Sequence, residues 1–319
     1  MSEPLDIVYT WVDDSFPGYL EELNTYVADK RDTNPNRTRD NLDIIRYSLR
    51  SVAQNLSGIR KIFFLTCRPQ MPDWLNTDHP QIEVVHHDQI MDPAILPTYN
   101  SFAIVSHLHL IPGLSQRFLY FEDDMLAMSP RLTDCMFAPD GRPLVHLDRR
   151  WVAPLDKLNP ATSSPWNLSL ANGDAALARR FGQGPRRHII HAPQLMQIDV
   201  AQAMCAEYPD LIAATRASRF RGADNVACEF LSQHLAIETG AAVQASDTAS
   251  AKMQGYVSLE NFAPWTWLQL QRVMRRHPLS VTLNDSFEDR PNPRVEAMVR
   301  ARLDHWFPAA CACERPATT

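Results

Sequence analysis

The sequence predicts an α/β fold with a mostly parallel sheet. Four short runs of β-branched, aromatic and aliphatic residues are typical of buried strands, and each ends at polar or turn-forming residues. Segments with helical spacing follow the first and third of these runs. Strands that alternate with helices imply βαβ units, whose strands are parallel. The predicted strands cover residues 6–12, 61–66, 82–87 and 117–124.

The first predicted helix covers residues 41–56, which carry apolar side chains every three or four positions. Asp40 or Asn41 is its expected N-cap, because short polar side chains there accept hydrogen bonds from free backbone N–H groups. The Pro-rich residues 67–75 are typical of a turn, and a second helix is expected within residues 96–114.

The second half of the chain is less regular. Pro, Asp and Gly punctuate residues 128–168, which predicts short hairpins there. Gly240 is expected to end a helix, and Pro293 to begin the last one. Helices are predicted within residues 171–182, 188–209, 224–240 and 291–307, and a strand at residues 280–285.

The composition excludes several classes of protein. Of the 319 residues, 45% are hydrophobic and 21% are charged, as in ordinary globular proteins, and the formal net charge of −6 argues against a nucleic-acid-binding surface. The six cysteines show no CxxC spacing, so we expect reduced thiols without zinc or disulfides. We find no basic and apolar leader and no apolar run of about 20 residues. We therefore expect a cytoplasmic protein without a transmembrane segment, with peripheral attachment to the inner face of the membrane left open.

Carboxylates follow two of the predicted strands. Asp13 comes after the first strand, and Glu122–Asp123–Asp124 ends the fourth. Ligands of parallel sheets bind beyond the carboxyl ends of the strands, where adjacent carboxylates can hold a hard cation. An acidic turn exposed to solvent is an equally good reading of these residues alone.

Two arginines share one face of the first helix, because Arg46 and Arg50 are four residues apart. Two guanidinium groups in this arrangement can bind a diphosphate bidentately. Surface salt bridges, one of them to Asp43, are the alternative that the spacing alone favours.

Three further signals lie in the second half. His191 precedes Pro193 in an extended segment, and Arg221 precedes the N-terminus of a helix, which is a suitable place for an anion. Asn284–Asp285 ends the strand at residues 280–285. Each signal alone is more often structural than functional. The histidines at 86, 87, 107 and 109 have no acid or cysteine at ligand spacing, so we expect them to be structural.

Taken in their order along the chain, these motifs resemble the conserved regions of the Stealth family. The family is named for bacterial capsule synthesis. It is similar to the catalytic portion of animal N-acetylglucosamine-1-phosphotransferase. DIVYTWVD resembles the first region. The second region is matched by four segments: RDNLDIIRYSLRSV, IRKIFFLT, MPDWLN and LPTYNSFAIVSHLHLIPGLSQRFLYFEDD. The third region resembles the segment from HAPQLMQID through RASRFRGAD, and the fourth resembles VTLND. The chain departs from the family at Glu122, where Asn is common, and at Asp14, where Gly is common.

The resemblance implies a nucleotide-sugar-binding, Rossmann-like core of the GT-A type, with helices on both faces and family-specific insertions over the site. The implied domains are a nucleotide-sugar-binding half at residues 1–127, a half at 128–310 that completes the core and the site, and a flexible tail at 311–319. The implied reaction transfers a hexose-1-phosphate to an acceptor hydroxyl and releases a nucleoside monophosphate. The expected acceptor is a capsule or other cell-surface glycan.

The resemblance also implies roles for individual residues. Asp40, His191 and Arg221 fall on the family's catalytic positions, with either His191 or Asp40 as general base and a covalent intermediate left open. The expected metal is Mg²⁺ or Mn²⁺, held by Asp123, Asp124 and Asp285. The residues expected to contact substrate are Trp11, Asp13, Asn41, Arg46, Arg50 and Asn284.

Two other functions compete with this interpretation. An ordinary glycosyltransferase on the same core would attack the anomeric carbon and release a nucleoside diphosphate. A carbohydrate- or nucleotide-binding protein without turnover is the third reading, and vacant acid, His and Arg positions would favour it. The pair of His191 and Arg221 favours phosphoryl transfer. The sequence gives no sign of an oligomeric state.

Overall fold

A computed structural model of the protein describes residues 4–27, 42–182, 186–287 and 291–316. Strands and helices alternate along the first third of the chain, as predicted. The strands of these ranges are β1 (Leu5–Thr10), β2 (Ile59–Thr66), β3 (Ile82–His86), β4 (Arg117–Glu122), β5 (Met125–Ala127), β6 (Leu144–Val145), β7 (Leu147–Trp151), β8 (Arg187–Ile189), β9 (Gln194–Gln197), β10 (Val243–Gln244), β11 (Gln254–Leu259) and β12 (Ser280–Asp285). The α-helices are α1 (Tyr19–Tyr26), α2 (Ile44–Asn55), α3 (Ser101–Val105), α4 (Pro165–Phe181), α5 (Ile198–Glu207), α6 (Pro209–Ala217), α7 (Cys228–Glu238), α8 (Asp247–Met253), α9 (Ala263–Arg275) and α10 (Pro293–Trp306).

The central sheet has the strand order β3-β2-β1-β4-β9. Its first four strands are parallel, and β9 runs antiparallel to β4. The strand order reverses direction between β1 and β4, and such a switch point opens a crevice at the carboxyl ends of the two strands. Thr10 and Glu122 are register partners at that end. The predicted α/β fold with a mostly parallel sheet is therefore confirmed.

Helices cover both faces of this sheet. Along β4, Phe118 and Tyr120 pack into one hydrophobic cluster together with residues of α3, α4, α5 and α7. Leu119 and Phe121 pack into a second cluster together with residues of α2. This alternation follows from the two-residue period of a strand, and it explains why the strands read as continuous apolar runs.

A second sheet has the order β11-β12-β5 and contains both parallel and antiparallel pairs. β5 follows β4 after only two residues, so the turn at Asp123–Asp124 joins the two sheets. The backbone N–H of Leu283 on β12 donates to the carbonyl of Asp124 at 3.0 Å. The end of β12 therefore lies against the acidic turn.

Of the hairpins predicted at residues 128–168, the described residues show a single antiparallel bridge, Phe137 to Pro143, and the strands of this range pair elsewhere. β6 pairs in parallel with β10, and β7 pairs with β8, so both partners lie much later in the chain. Strands of two to five residues have too few positions for their sequence to specify a partner.

The first predicted helix is confirmed, but its N-cap prediction is wrong. α2 begins at Ile44, and the N-cap position is Asp43, whose φ of 58° is left-handed. Its carboxylate accepts a 2.9 Å hydrogen bond from the indole N–H of Trp74 instead of capping the helix. The predicted second helix is largely 3₁₀ and turn, with only α3 as regular α-helix, capped by Asn100.

Cys313 and Glu314 are buried in the C-terminal segment, which differs from the expectation of a flexible tail from 311 onward. Glu314 is 5% exposed, and its backbone forms a bridge with Leu75. Its carboxylate binds two arginines of α2, as described below. Within the described residues, we find no helix that has the length and hydrophobicity required to cross a membrane.

Candidate active site

Carboxylates converge at the switch point of the central sheet. Glu122 is the last residue of β4, and Asp124 lies in the turn to β5. The strand holds them at this edge because its apolar residues, such as Leu119 and Phe121, are fully buried. The position is the one predicted from the sequence for Asp124.

His191 reaches the same place from the second half of the chain. It lies between β8 and β9, and its backbone carbonyl accepts hydrogen bonds from the side chains of Gln254 and Thr282, at 2.8 and 2.6 Å. Gln254 begins β11 and Thr282 lies on β12. The second sheet therefore fixes the backbone of His191 against the carboxyl end of the first.

Glu122, Asp124 and His191 form a compact cluster. The Nε2 atom of His191 lies 3.4 Å from Oε2 of Glu122 and 3.6 Å from Oδ1 of Asp124. One ligand atom from each residue lies within 4.8 Å of the others, so the three side chains can hold one metal ion. Among the described residues, this is the group of His, Cys, Asp and Glu side chains with that geometry.

The three groups shift each other's protonation. Burial alone would lower the pKa of His191, but the charges of Asp124 and Glu122 outweigh it and raise the pKa to about 10. Burial raises the pKa of Asp124 to about 6, with the charge of His191 opposing the rise. Burial also raises the pKa of Glu122, but the charge of His191 outweighs it, so that the net pKa is lowered. Without a metal, His191 is therefore a cation held between two acids.

Arg221 lies within electrostatic range of this cluster, since its charge lowers the pKa of Glu122. Its Nε and Nη2 atoms donate to Oγ of Ser101, at 3.1 and 2.6 Å, and its guanidinium lies over the ring of Phe102. The loop that carries Arg221 is attached to α3 by buried Asn100, whose amide donates to Oδ1 of Asn225 at 2.8 Å. The structure thus brings His191 into contact with Asp124 and places Arg221 within electrostatic range of Glu122, while the catalytic roles implied by the resemblance stay a prediction.

Asn284 also belongs to this site. Its side chain makes a hydrogen bond that lowers the pKa of Asp124, and its Oδ1 accepts a 2.9 Å bond from the hydroxyl of Tyr256. The ring of Tyr256 lies 6.1 Å from that of His191. Asp285 uses Oδ1 to accept from the backbone N–H of Phe287.

The predicted metal ligands therefore differ from the observed cluster. Asp124 is in it, while Asp123 and Asp285 are not in the three-residue group, whose other members are Glu122 and His191. Metal binding by Asp123 and Asp285 stays a prediction.

Trp11 and Asp13 follow β1 at the same edge of the sheet. Trp11 is 5% exposed, and its ring lies 5.8 Å from that of Phe64, so it packs in the core. The carboxylate of Asp13 accepts bonds from the backbone N–H and hydroxyl of Ser15, and the main chain of Asp13 is held by the amide of Gln70. Substrate contact by Trp11 and Asp13 stays a prediction.

The two arginines of α2 are already paired with the carboxylate of Glu314. The Nε atoms of Arg46 and Arg50 each lie 2.6 Å from the buried carboxylate of Glu314. Arg46 also lies 3.6 Å from Asp43, which is the salt bridge expected as the alternative reading. Diphosphate binding by these arginines stays a prediction, and it has to compete with Glu314. The predicted catalytic residue Asp40 and its neighbour Asn41 lie outside the described residues.

Sequence reasoning missed three residues of the site. Glu122 was part of the predicted acidic cluster but was not assigned as a metal ligand, and Tyr256 carried no signal. Glu229, in the first turn of α7, is 6% exposed, and its Oε2 has no hydrogen-bond partner among the described residues. Burial raises the pKa of Glu229 to about 7, and the charge of Glu122 raises it further. The sequence offered no specific signal for Glu229, because α7 also contains Ser232, Gln233 and His234.

Comparisons with known proteins agree with the resemblance read from the sequence. Stealth protein conserved region 2 matches residues 37–145, and Stealth protein conserved region 3 matches residues 190–238. The two regions contain the acidic turn, His191 and Arg221. The chain belongs to the Stealth family.

Curated relatives of this Stealth chain include bacterial phosphotransferases. The capsular polysaccharide phosphotransferase SacB of Neisseria meningitidis serogroup A is 30% identical over 314 residues, which cover 98% of this chain and 57% of SacB. An exopolysaccharide phosphotransferase of Streptomyces coelicolor is 33% identical over 324 residues, which cover 98% of this chain and 52% of the relative. The Stealth chain thus spans about half the length of these relatives.

The solved structures that match the Stealth chain have low sequence identity to it. The galactosyltransferase LgtC gives a TM-score of 0.43 at 10% identity, and the match covers 96% of this chain and 98% of LgtC. The glycosyltransferase GlyE of Streptococcus pneumoniae gives a TM-score of 0.43 at 11% identity, and the match covers 99% of this chain and 66% of GlyE. TM-scores of this size do not establish a common fold.

Proposed function

We propose that the protein transfers a hexose-1-phosphate, such as GlcNAc-1-phosphate, from a nucleotide sugar to an acceptor hydroxyl of a capsule or other cell-surface glycan. The observation that carries this proposal is the cluster of Glu122, Asp124 and His191 at the switch point, with Arg221 in electrostatic range. The similarity of the chain to a capsular polysaccharide phosphotransferase and an exopolysaccharide phosphotransferase supports it.

The cluster fits a divalent cation. Oδ1 of Asp124 is buried without a hydrogen-bond partner among the described residues, which is costly unless a cation or a proton compensates. Two carboxylates suit Mg²⁺ and Mn²⁺, whereas an imidazole ligand suits later transition metals better than Mg²⁺. We therefore propose Mn²⁺ as the better fit of the two expected ions. When bound, the cation would neutralise charge on the diphosphate and orient it.

The proposed reaction takes place at the phosphorus next to the sugar. The acceptor oxygen forms a bond to this phosphorus, the bond from the phosphorus to the bridging oxygen breaks, and the nucleoside monophosphate leaves. Arg221 would stabilise charge on the phosphoryl oxygens from the side of α3, because Ser101 and Phe102 hold its guanidinium there.

The acceptor hydroxyl must also lose its proton. Of the two residues predicted as general base, His191 directs Nε2 at both carboxylates of the cluster. This contact favours His191 as a metal ligand and leaves Asp40 as the base. Tyr256 would limit the movement of His191, since its ring lies against the imidazole and its hydroxyl is fixed by Asn284.

The experiment that tests the proposal is a panel of nucleotide sugars incubated with the protein and Mn²⁺ or Mg²⁺, followed by chromatography of the released nucleotide. We expect a nucleoside monophosphate in amounts equal to the glycan product. Stoichiometric UDP or GDP, with no phosphorus in the glycan linkage, would show that the protein is an ordinary glycosyltransferase instead.

A further inference from the structure

A cavity lies beside His191 that neither the metal cluster nor the predicted donor-binding residues occupy. We propose that it binds an anionic group of the acceptor glycan, either a phosphate ester or a carboxylate. The identification of the ligand as the acceptor rests on the proposed transfer reaction, whereas binding of an anion to the cavity does not.

The cavity has a volume of about 440 Å³ and lies between β7, α8 and the beginning of β11. Sites for small molecules are typically about 300–1,000 Å³, so a sugar unit with a charged substituent can be accommodated. Most such sites are lined mainly by apolar side chains. This one has four charged residues in its wall, which favours a charged ligand over an apolar one. They are Asp148, Arg149, Asp247 and Arg276.

The cavity shares a wall with the proposed active site. Ile190, which lines the cavity, immediately precedes His191. Gln254 lines it as well, and donates the 2.8 Å hydrogen bond to the carbonyl of His191. The Nε2 atom of His191 lies at the carboxylates of the cluster. His191 therefore connects the wall of the cavity with the proposed phosphoryl-transfer site.

Two of the charged side chains in the cavity wall are arginines that can bind an anionic ligand. Asp148 is paired with Arg150 at 3.0 Å, and Asp247 is paired with Arg187 at 2.8 Å. Arg149 and Arg276 line the cavity and form no ion pair with another residue in the described ranges.

The acids of the wall are thus neutralised by arginines outside it, while its own arginines are open to a ligand. Guanidinium groups bind phosphate and carboxylate oxygens through pairs of parallel hydrogen bonds. In a protein whose formal net charge is −6, a positive cavity beside the site would also select among acceptors.

The test compares acceptors and variants. Acceptors of one length that carry a phosphate ester, a carboxylate or no charge are assayed with the native protein and with the double variant Arg149→Ala/Arg276→Ala. We expect the native protein to prefer an anionic acceptor, and the double variant to raise the KM for that acceptor about tenfold or more. The kcat and the KM for the donor should not change, because neither arginine touches the metal cluster. If the double variant weakens binding of the phosphate-ester acceptor, the cavity binds a phosphate ester. If it weakens binding of the carboxylate acceptor, the cavity binds a carboxylate.

Arg275→Ala is the matched control, since Arg275 is an exposed neighbour of Arg276 on α9 that does not line the cavity. Arg276→Lys should recover part of the affinity, because the charge is kept while the bidentate geometry is lost. Melting temperatures should be equal for all variants, as expected for exposed positions.

Binding of the same oligosaccharides, measured by calorimetry without donor, separates this inference from the proposed reaction. Arginine-dependent binding of the charged oligosaccharide, together with release of a nucleoside diphosphate in the activity assay, would support the cavity and refute the phosphoryl transfer. Equal use of neutral and anionic acceptors, with no effect of the double variant on binding or KM, would overturn the inference.

Discussion

The hydroxyl of Thr282 donates a 2.6 Å hydrogen bond to the backbone carbonyl of His191. Thr282 is fully buried on β12, and His191 lies in the segment between β8 and β9. The bond therefore fixes the backbone of His191 relative to the second sheet, and with it the imidazole that faces Glu122 and Asp124. Since His191 belongs to no regular element, it depends on such side-chain contacts for its place.

Thr282→Val should reduce activity by changing the position of His191. Valine keeps the shape of threonine but cannot donate, so the carbonyl retains only the bond from Gln254. We expect a loss of stability of about 1 kcal/mol and a fall in kcat of about tenfold or more, with the KM for the donor nearly unchanged. Thr282→Ser, which keeps the hydroxyl, should restore most of the kcat. Equal losses in both variants would indicate a packing effect without a positioning role.

Asp124→Asn should weaken binding of Mn²⁺ about 100-fold or more, because it removes one of the charged ligands of the cluster. The measurement is a titration with Mn²⁺ followed by electron paramagnetic resonance, which does not depend on turnover. Asp156→Asn is the control, since the side chain of Asp156 is 74% exposed beside Lys157. Unchanged Mn²⁺ affinity in Asp124→Asn would exclude the cluster as the metal site.

Arg221→Ala should lower kcat about 100-fold or more while the KM for the donor changes far less. The reason is that its guanidinium is expected to stabilise charge that develops on the phosphoryl oxygens only in the transition state. Steady-state kinetics with varied donor concentration separates the two parameters. A rise in KM with kcat unchanged would assign Arg221 to ground-state binding of the donor.

Glu314 should make the protein sensitive to acid. Burial by itself raises the pKa of Glu314, but its hydrogen bonds, the largest from Arg50, lower it from 4.5 to about 2 in the folded protein. A carboxylate with a lowered folded-state pKa stabilises the fold above its unfolded pKa, and this contribution disappears as the pH falls from about 4.5 to about 2. The difference corresponds to about 3 kcal/mol at most.

The measurement is urea unfolding of the native protein and Glu314→Gln between pH 6 and pH 3. The native protein should be more stable at pH 6, and the difference should shrink as the pH falls. Glu83→Gln serves as the control, because Glu83 is half exposed and makes a 3.4 Å contact with Lys61. A stability difference that does not depend on pH would show that Glu314 acts through packing alone.

Features encoded locally were predictable from the sequence. The apolar run before Glu122 specified a buried strand, and the alternation of strands with helices specified parallel pairing. The position of Asp124 at the carboxyl end of the sheet followed from these two facts. The roles of His191 and Arg221 came from a family resemblance, since neither residue has a partner nearby in sequence.

Features that depend on distant contacts were not predictable. The pairing of Arg46 and Arg50 with Glu314 joins α2 to a C-terminal segment whose Ala-, Cys- and Pro-rich sequence has no period. The partners of β6 and β7 lie far along the chain, and such short strands have no pattern to identify them. The ligand geometry of His191 depends on Thr282 and Gln254, whose side chains are directed at it only once the second sheet has formed.

The most direct test of the central claim is to follow the phosphorus of the donor into the products. A nucleotide sugar labelled with ³²P in the phosphate next to the sugar is incubated with the protein, Mn²⁺ and an acceptor glycan, and the products are separated. Transfer of a sugar-1-phosphate predicts that the label moves into the glycan and that the released nucleotide is unlabelled. A labelled nucleoside diphosphate together with an unlabelled glycan would contradict the account.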